Sequence, residues 1–162
     1  MIRTRSKGFS LIELIIVLII ISLLTLLVTP SLTRTVRHME VRSVAKKISS
    51  VLRFCRSNAV NKNKIYQVHF DLEANQLSVL SGGEGGEPFV VEKSYPLPKE
   101  IQVEKTDFGK TLSEVSFPTL EFYPNGGSNG GEALVRSGES RGYSISVDFL
   151  TGIVTVDAAK EK

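Results

Sequence analysis

A strongly apolar run extends from Phe9 to Val28, FSLIELIIVLIIISLLTLLV, with Glu13 as the single charge. At about 1.5 Å per residue this helix would span roughly 30 Å, the hydrocarbon thickness of a bilayer. Beyond Pro30 the apolar positions thin out to Leu32, Val36, Met39, Val44, Ile48, Val51, Leu52, Cys55 and Ala59. Those steps track a 3.6-residue period, so one helix is expected from Phe9 to about Asn61, its second half amphipathic. Pro30 lacks a backbone N–H and crowds the preceding turn, and helix softening is expected there. After Lys64 the period drops to two. Ile65–Phe70 and Gln76–Leu80 predict a hairpin, and further strands are expected at Phe89–Tyr95, Ile101–Glu104, Val115–Tyr123, Ala133–Arg136, Tyr143–Phe149 and Ile153–Val156. Glycine-rich stretches at 82–86 and 125–131 and Thr151-Gly152 mark turns. The stem stripe must bury itself on something, and the strands are the available partner. The fold class that follows is α+β: a long N-terminal helix packed on an antiparallel β-sandwich head.

Charge is partitioned along this plan. Residues 1–8 carry Arg3, Arg5 and Lys7 and no acid; residues 31–64 carry nine bases against Glu40; residues 65–162 carry eight bases against fifteen acids, a net −7. The acidic head repels polyanions on average, so no nucleic acid is expected as its ligand. Cys55 alone excludes an internal disulfide or a multi-thiolate zinc site. His38 and His69 are too far apart in sequence for a helical ligand pair, and neither glycine cluster has the phosphate-loop pattern. Asp148 and Asp157 are strand acids expected to face solvent rather than to bind calcium. No nucleophile has a positioned base, so no catalytic residue, metal site or cofactor is expected.

Glu13 is the anomaly. A carboxylate inside an apolar span costs roughly 2.5–3.5 kcal/mol near a bilayer centre, less near its edge. Cleavage between Gly8 and Phe9 would free an α-amino cation about 6 Å along the helix from Glu13. In a bundle of such helices, Glu13 of one chain would answer the amine of the next and fix their register.

Lys7-Gly8-Phe9-Ser10-Leu11-Ile12-Glu13-Leu14 resembles the processing site of type IV pilins and of type II secretion pseudopilins. Cys55-Arg56-Ser57-Asn58-Ala59-Val60, Leu120–Gly126 and Val147–Val154 resemble the H-type minor pseudopilins, the GspH/FimT-like class. Cys55 stands where that class has Ala, and Ser10 where Thr is commoner. The resemblance implies a leader, residues 1–8, removed by a prepilin peptidase after Gly8, with N-methylation of Phe9. It implies an inner-membrane anchor over 9–30, a stem over 31–62 and a periplasmic head over 63–162, with the N-terminus cytoplasmic. The role implied is a structural minor subunit at or near the tip of a secretion pseudopilus that helps export folded proteins. Its partners would be the major and other minor pseudopilins, the inner-membrane assembly platform and secreted substrates. A minor pilin of a type IV pilus, including DNA-uptake pili, is the alternative.

Overall fold

The computed structural model describes residues 9–82, 88–110, 117–138 and 141–159, without the side chains of 26–37 and of Lys105. The chain divides into two compact units, Met1–Val36 and Arg37–Lys162. Helix α1 runs from Leu11 to Lys62. Eight strands follow: β1 (Ile65–Asp71), β2 (Gln76–Gly82), β3 (Val90–Pro96), β4 (Gln102–Phe108), β5 (Thr119–Phe122), β6 (Gly131–Arg136), β7 (Tyr143–Val147) and β8 (Val154–Ala158).

In the first unit the helix is apolar on every side. Its large side chains from Leu11 to Leu24 all stand exposed. Ser22 within this stretch and Thr25 just after it satisfy their hydroxyls on the preceding turn, Ser22 donating to Leu18 O and Thr25 to Ile21 O, each at 2.8 Å. A helix apolar all round, with its polar groups internally bonded, is built to be surrounded by hydrocarbon or by other helices. Among the described residues no helical stretch is by itself long and apolar enough to cross a membrane. The last residues of the expected span, Leu26 to Val28, lie beyond the described side chains, as does Pro30.

The second unit is a helix over two four-stranded sheets. The strand orders are β3-β2-β1-β5 and β4-β6-β7-β8, every neighbouring pair antiparallel. Val41, Val44, Ala45, Ile48, Leu52, Cys55 and Ala59 of α1 join Tyr66, Val68, Phe70, Leu120 and Phe122 of the first sheet and Val103, Ala133, Val135, Ile145 and Val147 of the second in one core. The α+β architecture read from the sequence is therefore the observed one. The stripe is corrected at one point: Met39 is 68% exposed, and the stripe opens at Val41. Most strand limits shift by one to four residues. Tyr143–Phe149 stops at Val147 because Asp148 begins a turn, and of the expected 115–123 strand only Thr119–Phe122 is strand, its first two residues lying outside the described set.

Both tight hairpins use one device. The Asp71 carboxylate accepts the N–H groups of Glu73 and Ala74, and Asp148 accepts those of Leu150 and Thr151 plus the Thr151 hydroxyl. Such Asx turns hold the chain where Asn75 and Gly152 take positive φ. Asp148 is thus a turn cap, not a strand acid, and the Thr151 bonds hold its carboxyl below the usual carboxylate range.

Candidate functional site

The first candidate region is the start of α1. Phe9 is 76% exposed, and the Ser10 carbonyl accepts the N–H groups of Glu13 (3.0 Å) and Leu14 (3.2 Å), which makes Ser10 the residue that opens the helix. Glu13 lies in the first turn. An acid there faces the positive end of the helix dipole, a favourable position that the sequence reading did not weigh. It remains a carboxylate among exposed Ile12, Leu14, Ile16 and Val17. Gly8 lies outside the described residues, as does the side chain of Pro30, and the expected roles of all four positions, Phe9 included, are taken up below.

The second region lies in the second unit, where three segments distant in sequence meet at one side chain. Arg56 projects from α1 between the 123–127 turn and the β7–β8 turn. Its Nε donates to Thr151 O at 2.7 Å and, more weakly, to Gly126 O at 3.3 Å. One turn earlier, Arg53 donates to Val154 O at 3.0 Å. Gly152 completes the clamp. Its φ is +61°, and a Cβ there would come within 2.5 Å of Gly126 O and 3.1 Å of the Arg56 side chain. Only glycine fits both the conformation and the space. The Cys55–Val60, Leu120–Gly126 and Val147–Val154 motifs therefore share a structural purpose: they pin loops from two sheets onto the helix. Cys55 itself is buried, and burial pushes its thiol up to about 12, a packing residue without nucleophilic character at neutral pH.

Behind the 123–127 turn sits a polar cluster that sequence reasoning missed. Buried Asn129 donates through Nδ2 to Gly109 O and Thr119 O, each at 3.0 Å, and its Oδ1 accepts the Glu121 N–H at 2.8 Å. Glu121, fully buried, accepts from Gln67 Nε2 at 2.7 Å and from the Tyr123 hydroxyl at 3.0 Å. Burial, with Glu121 beside it, raises the Tyr123 hydroxyl to about 12. His69 reaches Gln67 Oε1 at 3.2 Å and lies against the Phe117 ring. Burial lowers its pKa, and the charge of Glu121 opposes that in part. The cluster is satisfied and closed. Glu121 is occupied by Gln67 and Tyr123, and among the described residues the His69 ring bonds to Gln67 rather than to its cross-strand neighbour Ser78. Among those residues no group of three or more His, Cys, Asp or Glu is placed to hold a metal ion.

Comparison with known proteins gives a consistent picture. Residues 3–29 match the prokaryotic N-terminal methylation motif. Over 153 residues, 94% of this chain and 84% of the relative, the sequence is 25% identical to the type II secretion system protein H of Xanthomonas campestris pv. campestris. The chain is thus similar along nearly its whole length to a type II secretion protein H, and its N-terminus carries the methylation motif. Its fold matches a crystal structure of the minor pseudopilin EpsH from the type II secretion system of Vibrio cholerae, with a TM-score of 0.62 at 12% identity over 78% of this chain and 99% of that one. It also matches the type IV minor pilin FimU of Pseudomonas aeruginosa, with a TM-score of 0.58 at 16% identity over 76% and 96%. At these identities the structural matches speak for the fold alone. The fold brings to the site the division already seen: an apolar helix without cover among the described residues, and a head held together by the Arg56 clamp.

Proposed function

We propose that this GspH-like chain is a structural minor pseudopilin, at or near the tip of a type II secretion pseudopilus, that helps export folded proteins across the outer membrane. The observation that carries the reading is the helix from Leu11 to Leu24, apolar on all sides and uncovered within the chain. It is supported by the methylation motif over residues 3–29 and by the secretion-protein-H relative.

In this reading a prepilin peptidase removes residues 1–8 by cutting after Gly8, and the Phe9 amine is methylated. Residues 9–30 anchor the chain in the bacterial inner membrane, and Pro30 softens the helix below the stem. Residues 63–162 form the head in the periplasm. Assembly is driven by burying the apolar helix among those of the major and other minor pseudopilins at the inner-membrane assembly platform. Glu13 meets the neighbour's Phe9 amine. Leaving either charge unpaired in oil costs several kcal/mol, which makes that pair a register mark.

Replacing Gly8 by a bulky residue is expected to leave the leader attached, read by intact-protein mass. Glu13→Val is expected to preserve membrane insertion and to abolish co-purification with fibre subunits. An unchanged mature mass in the first, or undiminished co-purification in the second, overturns the corresponding step. The FimU likeness favours a second reading, a minor pilin of a type IV pilus. Affinity purification from native membranes separates the two, since secretion pseudopilins are expected in one case and pilus subunits in the other.

A further inference from the structure

We infer that the apolar tip of the β7–β8 hairpin, Phe149, Leu150 and Ile153 with Val60 of α1 beside it, seats the head against an uncharged apolar face of a different anchored subunit. This rests on the minor-subunit reading above and adds to it a contact surface and the chemistry of the partner.

The β1–β2 hairpin shows what such a turn requires. Asp71 and Asp148 each gather the N–H groups two and three residues on, and Asn75 and Gly152 both take positive φ, +50° and +61°. Position by position, Leu72 answers to Phe149 and Glu73 to Leu150. The shared geometry therefore holds with an acid at the tip, and turn tips ordinarily carry polar residues or glycine. The turn itself does not call for Leu150, which is 78% exposed, nor for Phe149 at 63% and Ile153 at 53%.

These side chains make one surface. The Phe149 backbone runs beside Gly127 and its side chain over Gly130, while Val60 lies beside Gly126. The patch thus continues across two residues that have no side chain. Ile153 is a ridge between two clefts, one of about 510 Å³ with Ser146, Thr151 and Thr155 in its wall and one of about 200 Å³ walled by Arg53, Arg56 and Val154. The polar groups at the margin are engaged. Ser146 pairs with Thr155, Asp148 with three donors of its own turn, and Arg53 and Arg56 with the carbonyls of Val154 and Thr151. An apolar centre inside a satisfied polar rim is the anatomy of a protein interface. Arg56 also holds the hairpin on α1, so contact orders little that is not ordered already.

Size and charge select the occupant. The four side chains expose on the order of 400 Å² of apolar surface, enough for a functional patch but about half of what each side of a stable free-standing complex buries. The partner is therefore one already held alongside. The uncovered helix from Leu11 to Leu24 provides for that, because chains packed through such helices meet at high effective concentration. Residues 149–153 carry no charge, so an uncharged face is their complement. An anionic bilayer is a poorer match, since the tip has no base and residues 65–162 sum to −7. A minor subunit has other chains for neighbours, which makes the occupant non-identical.

The test places a photoreactive side chain in the tagged full-length protein in native membranes, beside a second copy with a different tag. Phe149→p-benzoylphenylalanine is expected to form an adduct with a different chain carrying the N-terminal methylation motif, identified by peptide mass. Its yield should be about ten times that of Leu72→p-benzoylphenylalanine in the matching turn. Adding Leu150→Glu is expected to lower the yield about tenfold, and Leu150→Met to retain it. The fold accepts the acid, because Glu73 occupies the equivalent place. Equal adducts from both positions, an adduct with the second copy or with lipid alone, or a yield indifferent to Leu150→Glu overturns the inference. Co-purification of fibre subunits with the unchanged chain reports the underlying reading separately. Where they co-purify and no adduct forms from position 149, only this inference fails; where none co-purifies, the minor-subunit reading fails with it.

Discussion

Arg56→Ala removes the side chain on which three distant segments converge, and its cost follows from the bond geometry. The Nε carries one hydrogen, so the contacts at 2.7 Å to Thr151 O and 3.3 Å to Gly126 O are two branches of one bond, dominated by the shorter. A hydrogen bond from a charged donor is worth about 1.5–3 kcal/mol. Thr151 is exposed and water replaces part of that, whereas Gly126 is buried and its carbonyl is left short of a donor. Loss of the side-chain packing on Gly152 adds to this. The expected total is about 2 kcal/mol. For a unit the size of Arg37–Lys162 that lowers the Tm by roughly 6–12 °C. Arg56→Lys keeps the charge without the fixed N–H and is expected to recover less than half. Gly152→Ala suffers the left-handed backbone penalty, about 1–2 kcal/mol, plus a collision at 2.5 Å with the Gly126 carbonyl, and is expected to be the worse of the two single changes. Because the two residues touch, the double variant should cost less than the sum. Urea and thermal unfolding of residues 37–162 provide the readout, with amide exchange at Thr151 and Gly152 as a local one. An Arg56→Ala change within about 0.5 kcal/mol of the parent, or strict additivity with Gly152→Ala, refutes the clamp.

Asn129→Ala strands the Glu121 N–H and two carbonyls inside the head, and an expected loss of about 2–4 kcal/mol, seen in the urea midpoint, distinguishes a structural hub from a mere turn residue. His69 has its pKa lowered by burial, so its neutral form is the one the fold prefers. Its contribution is complete above the unfolded pKa of about 6.5 and is lost as pH falls through the lower folded value. Unfolding measured between about pH 7 and 5 should therefore show a drop in stability that His69→Gln flattens, and a slope unchanged by that variant contradicts the assignment.

What the sequence made legible was whatever repeats locally. The apolar run from Phe9, the 3.6-residue stripe ending at Ala59 and the alternation from Ile65 each show within a few neighbours, and the α+β architecture followed from them. The hairpin turns were visible through glycine, but the reason Asp148 sits where it does was not: its purpose is read in the N–H groups it gathers two and three residues on. Glu121 was invisible for a stronger reason. In an alternating strand an acid is assigned to solvent, and its burial depends on Gln67, its register partner across the β1–β5 pair, and on Tyr123. Arg56 stood in plain view inside a recognised motif, yet a motif names residues without saying what they hold. The clamp gives these three segments one structural purpose: the 123–127 turn and the β7–β8 turn are both held to α1 through Arg56. Relatives that keep an arginine at the position of Arg56 should therefore keep a glycine at that of Gly152, because any Cβ there meets both the Arg56 side chain and the Gly126 carbonyl.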